Sequence, residues 1–553
     1  MTGTTTSTPT TTPAAADRIS GIHHITTLAG DPQGNIDFYR GTLGLRMVKR
    51  TVNFDDPGSY HFYFGDGPGS PGTIITFFPW PGAPRGVPGS GEVTATAFSV
   101  PTGTLDRWAA RLNEWGVQDA ARSTRFGQGV LSFEDPDGTA LELIETPGVE
   151  KIPAWTGDGV DGSIAIRGFH SATLSLRSIE HTADLLTRHL GMTPAGVEGN
   201  RSRFVAAGTT ADGTPATVGK VIDLLYTPDL PRGRSGTGTV HHIAVRATGD
   251  AQQARWQKSL GEGGYGITPV RERDYFRSVY FRERGGVLFE IATDAPGFGI
   301  DETSDALGTA LKLPRTYEPQ RAQIEAHLPK VTLDRSTPRT GPDPVRAYHH
   351  AFLPARSGRT DGRWLLLLHG TGGDEQDLLP LGEKLLPGAA MLSPRGDVSE
   401  NGHFRFFKRF AEGVFDLADV NRAADKLAAW VQAAAAKYGL DPVLGTAVGF
   451  SNGANVAAAA LLTRGLGVKE AVLIRAMRTI EPNGKVGLGG TRVLVLSGTT
   501  DPIVPVENSR GLASQLRRAG AEVQHVELPV GHTLAPGDLA AARAFVQGER
   551  VTA

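Results

Sequence analysis

Apolar and polar positions follow the same succession of periods four times between residue 18 and about residue 300. Each unit opens on a strand-like alternation and passes a polar turn. It then runs into an amphipathic helix and closes on a short apolar strand. The openings are GIHHITTLAGDPQGNIDFYRGTLGL, EVTATAFSVPTGTLDRWAARLNEWGV, RGFHSATLSLRSIEHTADLLTRHLGM and TVHHIAVRATGDAQQARWQKSLGEGGY. The closings, GTIITFFPWPG, GTALELIETPG, VGKVIDLLYTPD and GGVLFEIATDAPG, each leave a Gly and stop at a Pro. Between helix and last strand there is room for two more strands. The pattern predicts four βαβββ units, an α+β domain over residues 18–332 in which two units side by side enclose a concave site. Residues 301–332 are a C-terminal extension of it with a modest helical pattern.

From residue 345 the pattern changes to alternating β and α. RWLLLLHG is a continuous apolar run, as in a strand buried on both faces. LADVNRAADKLAAWVQAAAAKYG is an Ala-rich amphipathic helix, and GTAVGF, AVLI and TRVLVLSG are further strands. Residues 345–553 are expected to be a doubly wound α/β domain. The stretch 333–344, rich in Pro, Gly and charge, is the linker. Residues 1–17 are a low-complexity Thr, Pro and Ala tail, expected to be disordered.

Composition narrows the chemistry. Cysteine is absent from all 553 residues, so thiolate metal sites, iron–sulfur clusters and thiol nucleophiles are excluded. Any metal must be held by His, Asp or Glu. The net charge of -2, with scattered Lys and Arg, gives no sign of a nucleic-acid or membrane-surface partner. No apolar run reaches the ~20 residues of a membrane span, so a cytoplasmic protein is expected. The oligomeric state is left open, a homo-oligomer included.

His-His-Ile occurs twice, at His23-His24-Ile25 and His241-His242-Ile243, each time at a unit start, and Glu290 sits in the closing strand VLFEIA of the fourth unit. Two imidazoles and one carboxylate form a facial triad that leaves metal positions open, a set suited to non-haem Fe(II) oxygen chemistry. Burying Glu290 unpaired in an apolar strand costs several kcal/mol, about 3–5. A metal is the obvious partner. Along a regular strand His24 and Thr26 share one face while His23 and Ile25 share the other, so only one imidazole of each pair can face the cavity.

Gly449-Phe450-Ser451-Asn452-Gly453 lies between a strand and an Ala-rich helix, the context of a nucleophile elbow. Asp501 and His532 follow in that order, each just past a strand. Ser, Asp, His is the chain order of α/β-hydrolases, and the loop HGTGGDE places the backbone N–H of Thr371, with that of Asn452, as oxyanion donors. A serine hydrolase acting on a small ester or thioester is expected.

The first part resembles the vicinal-oxygen-chelate superfamily (glyoxalase, bleomycin-resistance and extradiol proteins), and within it the ring-cleaving dioxygenases of hydroquinones. The strings that carry the resemblance are GIHHITTLAGDPQGNIDFYRGTLGLRMVKRTVNFDD, YHFYFGD, RGFHSATLSL, VIDLL, HHIAV and DYFRSVYFRERGGVLFEIAT. It implies Fe(II), with Mn(II) as the alternative, and ring opening of a small aromatic diol by O2. It also implies His24, His242 and Glu290 as metal ligands. His23, Thr26, His241, Arg273 and Tyr280 become neighbouring or substrate-contacting residues, with His241, Tyr280 or His23 as acid/base and Arg273 holding an oxyanion. A rival ligand set takes His170 in place of His24. Glu142, at the matching end of the second unit, is read as a relic. The last part resembles the phospholipase/carboxylesterase group of α/β-hydrolases through LLLLHGTGGDEQDLLPL, SPRGDVSENGHFRFFKRF, GFSNGAN and SGTTDPIVP. Together they imply a bifunctional enzyme of aromatic or quinone breakdown. The alternatives are a glyoxalase-type metalloisomerase, or a metal-free binding module, fused to an esterase.

Overall fold

The computed structural model describes residues 18–117, 119–210, 217–334, 344–356, 359–400, 402–481, 486–549 and 551. The expected tail, 1–17, and most of the expected linker lie outside them. The chain divides into two compact units at residues 342 and 343.

All four βαβββ repeats are present in the first unit. The first contributes β1 (Ile22–Ala29), β2 (Arg46–Asn53), β3 (Asp56–Gly65) and β4 (Ile74–Pro79). The second contributes β5 (Glu92–Val100), β6 (Ala121–Arg125), β7 (Gln128–Glu134) and β8 (Ala140–Glu145). The third contributes β9 (Phe169–Leu176), β10 (Thr193–Glu198), β11 (Arg201–Val205) and β12 (Val221–Tyr226). The fourth contributes β13 (Val240–Ala247), β14 (Arg271–Glu272), β15 (Phe276–Arg282) and β16 (Leu288–Pro296).

Repeats pair out of sequence order. One eight-stranded sheet runs β14-β15-β16-β13-β1-β4-β3-β2 and joins the fourth repeat to the first; the other runs β10-β11-β12-β9-β5-β8-β7-β6 and joins the third to the second. Helices are held by their apolar faces. In Leu105–Glu114 the residues Leu105, Trp108 and Leu112 recur at helical spacing and are buried, and Trp108 Nε1 donates to the Ile164 carbonyl at 2.9 Å.

β1 is central in its sheet and buried throughout, yet it carries His23, His24, Thr26 and Thr27. Four buried polar side chains on one strand are costly unless each finds a partner, so this strand marks a site. Its pairing with β13 is irregular. Ile22 opposes Val245 and His24 opposes Ala244, which leaves His23 without a counterpart; Thr26 opposes His242 and Thr27 opposes Val240, which leaves out His241. Each His-His-Ile therefore carries a one-residue β-bulge at its first imidazole.

The second unit is a seven-stranded sheet in the order 350–353, 390–394, 364–368, 445–450, 470–474, 492–498, 522–528. Only the edge strand His350–Leu353 runs antiparallel to its neighbour. Leu365 to Leu368 are fully buried, as the apolar run predicts. The helix Leu417–Tyr438 starts on Asp416, whose carboxylate accepts from Ala418 N and Asp419 N, and stops at Gly439 in the left-handed region. Its Ala424, Leu427 and Val431 face the core. Among the described residues no helix is long and apolar enough to cross a membrane.

Candidate active sites

The two bulges decide how the imidazoles of the first unit sit. Neighbouring side chains on a regular strand point to opposite faces, but His23 Nδ1 lies 2.9 Å from His24 Nδ1, and His241 Nδ1 lies 2.8 Å from His242 Nδ1. An extra residue rotates each first ring toward its neighbour; the expectation that one imidazole of each pair faces the cavity holds for His24 over His23 and is corrected for the second pair, where His241 and His242 both line it. With Nδ1 of His24 and His242 engaged this way, both Nε2 atoms face Glu290 from adjacent strands.

There the donors converge. His24 Nε2 and His242 Nε2 are 3.3 Å apart, and they lie 3.3 and 2.8 Å from Glu290 Oε2. All three residues are buried, Glu290 completely. Among the described residues this is the cluster whose ligand atoms lie within 4.8 Å of one another. Two donors each about 2.1 Å from one ion, at right angles, sit about 3.0 Å apart. The triangle has the size of one facial set. Ser278 Oγ donates to Glu290 Oε1. Oε2 is fully buried and takes no hydrogen bond of acceptable geometry, despite the two nearby nitrogens. An orphaned carboxylate oxygen between two imidazoles fits a divalent cation. Burial pushes the Glu290 carboxyl up, but His24 and His242 outweigh it and hold it well below the usual range, ionised as a ligand must be.

A cavity of about 220 Å³ opens over this triangle. Thr26, His241, Arg273 and Tyr280 line it, as the resemblance implies, together with aromatic walls that include Phe276 and Trp80. His241 is exposed to it. His23 is buried behind His24, edge-on to Phe276, and burial holds it well below the ordinary imidazole range. Arg273 donates to Asp55 at 2.9 Å and lies 3.4 Å from the Tyr280 hydroxyl.

Sequence reasoning missed a chain on the same wall. Tyr63 OH is 2.9 Å from His61 Nδ1, His61 Nε2 is 3.0 Å from Thr76 Oγ1, and Thr76 Oγ1 is 2.8 Å from Thr26 Oγ1. The signal was present in YHFYFGD, where His61 and Tyr63 share a face at period two.

The second sheet repeats the scaffold without the donors. Its pairing skips His170 and Thr94, so His170 corresponds to His23 rather than to His24. Ser171 and Ala95 stand where His24 and His242 stand in the first sheet. Glu142 is held by Arg125 through two bonds of 2.6 and 2.7 Å, and Asp223 by Arg203 through two of 2.9 Å. His170 is 3.2 Å from Gln128 Oε1 and 3.0 Å from Ser171 Oγ, and burial first, then Arg203, pushes it down to about 4.

In the second unit Ser451 sits at φ 50° and ψ −112°, between strand 445–450 and helix Asn452–Thr463. A non-glycine residue there is strained. The flanking glycines make the turn. A Cβ on Gly449 would lie 2.7 Å from Ala454 Cα, and one on Gly453 would lie 2.6 Å from the His369 carbonyl and closer still to that of Leu368. Ser451 Oγ is 2.9 Å from His532 Nε2, and His532 Nδ1 is 2.8 Å from Asp501 Oδ2. The other Asp501 oxygen accepts from Ile503 N and Val504 N at 2.8 and 3.0 Å, which fixes the carboxylate. Among the described residues, neither the Thr371 nor the Asn452 backbone N–H has a backbone hydrogen-bond partner. Arg405, which sequence reasoning also missed, donates to Thr371 Oγ1 at 2.5 Å.

Four βαβββ repeats with a clustered His, His, Glu set define a vicinal-oxygen-chelate unit, and the seven-stranded sheet with its elbow defines an α/β-hydrolase unit. The chain belongs to the Glyoxalase/Bleomycin resistance protein/Dioxygenase superfamily, whose model matches residues 21–143 and 168–291. It is 50% identical over 313 residues to "Putative ring-cleaving dioxygenase MhqO" of Bacillus subtilis (strain 168), covering 57% of this chain and 97% of that protein. It is 36% identical to the "Chlorohydroquinone/hydroquinone 1,2-dioxygenase" of Sphingobium indicum, covering 54% of this chain and 92% of that protein. Over another 184 residues it is 39% identical to "Putative hydrolase MhqD" of Bacillus subtilis (strain 168), covering 33% of this chain and 92% of that protein.

Proposed function

We propose that the protein carries two activities: metal-dependent cleavage of hydroquinone-like rings by O2 in the first unit, and hydrolysis of small carboxylic esters or thioesters in the second. The observation that carries the first is the orphaned Glu290 Oε2 between the Nε2 atoms of His24 and His242, beneath an aromatic cavity. These three residues would hold the metal, Fe(II) with Mn(II) as the alternative. A metal bound there would supply open coordination positions for O2 and the ionised diol and a route for electrons between them. Three protein donors favour this over a glyoxalase-type isomerase, which uses four.

The chain's own residues do the rest. Nε2 of His24 and His242 must present a lone pair to the metal, so Nδ1 of each carries the proton and donates to His23 or His241. The first imidazole of each pair thus fixes the tautomer of the second. His241, whose Nδ1 accepts from His242, carries its own proton on Nε2 and, exposed to the cavity, donates it to a substrate oxygen as general acid. Arg273 and Tyr280 hold the developing oxyanion. Thr26, Thr76, His61 and Tyr63 offer a hydrogen-bonded path along the wall. The aromatic walls stack the ring and exclude water.

In the second unit Ser451 attacks the acyl carbon, His532 takes its proton, and Asp501 holds the imidazole tautomer. The N–H groups of Thr371 and Asn452 receive the oxyanion. The likeness of the two parts to two separate chains of one organism supports a fusion of two enzymes. The test is to purify the chain anaerobically, measure its metal content, and follow O2 uptake on hydroquinones and catechols beside p-nitrophenyl ester hydrolysis. One equivalent of iron or manganese with hydroquinone-dependent O2 uptake is expected. Metal-free protein, or turnover of catechols alone, overturns the first assignment.

A further inference from the structure

The concave face of the first sheet continues past the aromatic cavity. A second cavity of about 150 Å³ adjoins it, and His241 and His242 line both. The register explains the continuity. Tyr280 opposes Glu290 and Arg282 opposes Leu288, so Arg282 lies one period of two beyond Tyr280, on the face that carries the candidate metal ligands. The character of the wall changes there. In place of phenyl and indole rings the second chamber presents Arg282, Arg232, Glu92, Ser90 and Ser235. The lining carries two guanidinium groups and one carboxylate, an excess of positive charge. Arg282 directs one N–H to the Gly286 carbonyl at 2.5 Å, which anchors its head and leaves four of the five donors of a guanidinium.

We propose that this chamber is a carboxylate subsite, filled by the ring-opened product or by a carboxylate side chain of the substrate. The inference rests on the ring-cleavage reading above. When a ring opens beside its hydroxyl, the bond between the hydroxyl-bearing carbon and its C–H neighbour breaks. O2 is the oxidant, and each of those carbons takes one of its atoms. The first carbon becomes a carboxylic acid and the second an aldehyde, and the acid releases its proton to water at neutral pH. An uncharged ring that suits an aromatic cavity thus becomes an anion that does not. The neighbouring chamber supplies what the anion needs, planar donors able to bind a carboxylate through two parallel bonds.

The experiment uses the full chain as purified. Calorimetric titration with muconate, a six-carbon unsaturated dicarboxylate, compares the native protein with Arg282→Gln, Arg232→Gln and Arg282→Lys. KM and kcat are read for hydroquinone and for 2,5-dihydroxybenzoate, and unchanged metal stoichiometry shows that the site is folded. Muconate binding is expected to weaken about tenfold in Arg282→Gln, to recover in part in Arg282→Lys, and to weaken further as salt rises. If KM for 2,5-dihydroxybenzoate rises in Arg282→Gln while that for hydroquinone holds, the carboxylate is the substrate's own. If both KM values hold and product inhibition weakens, it is the product's. Equal muconate binding by the native protein and both Gln variants, or none by any, overturns the subsite. Muconate binding that behaves as expected, without turnover of any hydroquinone, rejects the ring-cleavage reading and keeps the carboxylate site.

Discussion

Arg475 and Asp538 form a buried two-bond ion pair, with both nitrogens 2.8 Å from the carboxylate oxygens, directly against the loop that carries His532. The same guanidinium donates from Nε to the Gly531 carbonyl at 2.8 Å and from Nη2 to the Thr533 carbonyl at 3.2 Å. The residues on both sides of His532 thus hang from one side chain that is 0% exposed. Arg475 itself follows strand 470–474, whose last carbonyl, that of Ile474, accepts from Ser451 N. One residue therefore links the strand behind the nucleophile to the loop of the base.

Arg475→Lys keeps the charge and loses the fork. It is expected to lower kcat for p-nitrophenyl acetate about 10- to 100-fold, since small misplacements of a base are costly, with KM within about threefold. Fluorophosphonate labelling of Ser451 should slow in parallel, because it also needs the imidazole in place. Asp538→Asn should act in the same direction. Breaking a buried pair costs about 3–5 kcal/mol, so a thermal melt checks that the unit remains folded at the assay temperature. Native kcat in a folded Arg475→Lys protein would mean that the loop holds His532 without the fork.

Ser451→Ala removes the nucleophile and leaves the hydrogen bond between His532 and Asp501 in place. Ester turnover should fall by about 10⁴-fold or more, because triad members act as a unit. Hydroquinone-dependent O2 uptake should stay within about twofold, since the two units have separate cores. Parallel assays on one preparation check both halves. Loss of O2 uptake in a folded Ser451→Ala protein would sink the two-site picture.

Gly453→Ala tests the elbow by volume alone. The added methyl meets the carbonyls of Leu368 and His369, backbone atoms of a fully buried strand end that cannot give way. A destabilisation of about 3 kcal/mol or more is expected, at the high end for a point substitution. It should appear as a lowered melting temperature of the hydrolase unit. Gly439→Ala, at a left-handed helix cap with nothing within 4 Å, should cost only about 1 kcal/mol. Equal melting temperatures for the two variants would contradict the packing argument.

Much of this architecture is written in local pattern. The four repeats follow from periods of two and 3.6. The order Ser451, Asp501, His532 follows from strand ends. What local pattern omits is cross-strand register. Nothing in IHHITTLA marks His23 as an extra residue, because a bulge exists only relative to the partner strand, here β13. For the same reason His170 looks like a rival ligand in the sequence, and only the pairing of β9 with β5 aligns it with His23. The antiparallel edge strand His350–Leu353 was missed because four residues after a Pro-rich stretch carry too little pattern. Arg475 and Arg405 were missed because buried arginines are exceptions to composition rules, explained only by the carbonyls and carboxylates that the fold gathers around them.

That register gives the metal site its sharpest test. If His24, His242 and Glu290 are the ligands, Glu290→Gln removes the charge and keeps the shape. Metal affinity should then fall by about 100-fold or more, as for loss of a charged ligand. His242→Ala should abolish stoichiometric metal. His23→Ala should weaken binding only about 10- to 100-fold, because it removes the partner of His24 Nδ1 rather than a donor. His170→Ala should retain full metal, since its ring lies in the other sheet against Gln128 and Ser171. Elemental analysis after dialysis against a weak chelator ranks the four variants. Ester hydrolysis, which uses the other unit, serves as the internal measure of protein amount, and a thermal melt checks that the first unit of each variant is folded. Loss of metal in His170→Ala with retention in His242→Ala would move the site to the second sheet and reverse the assignment.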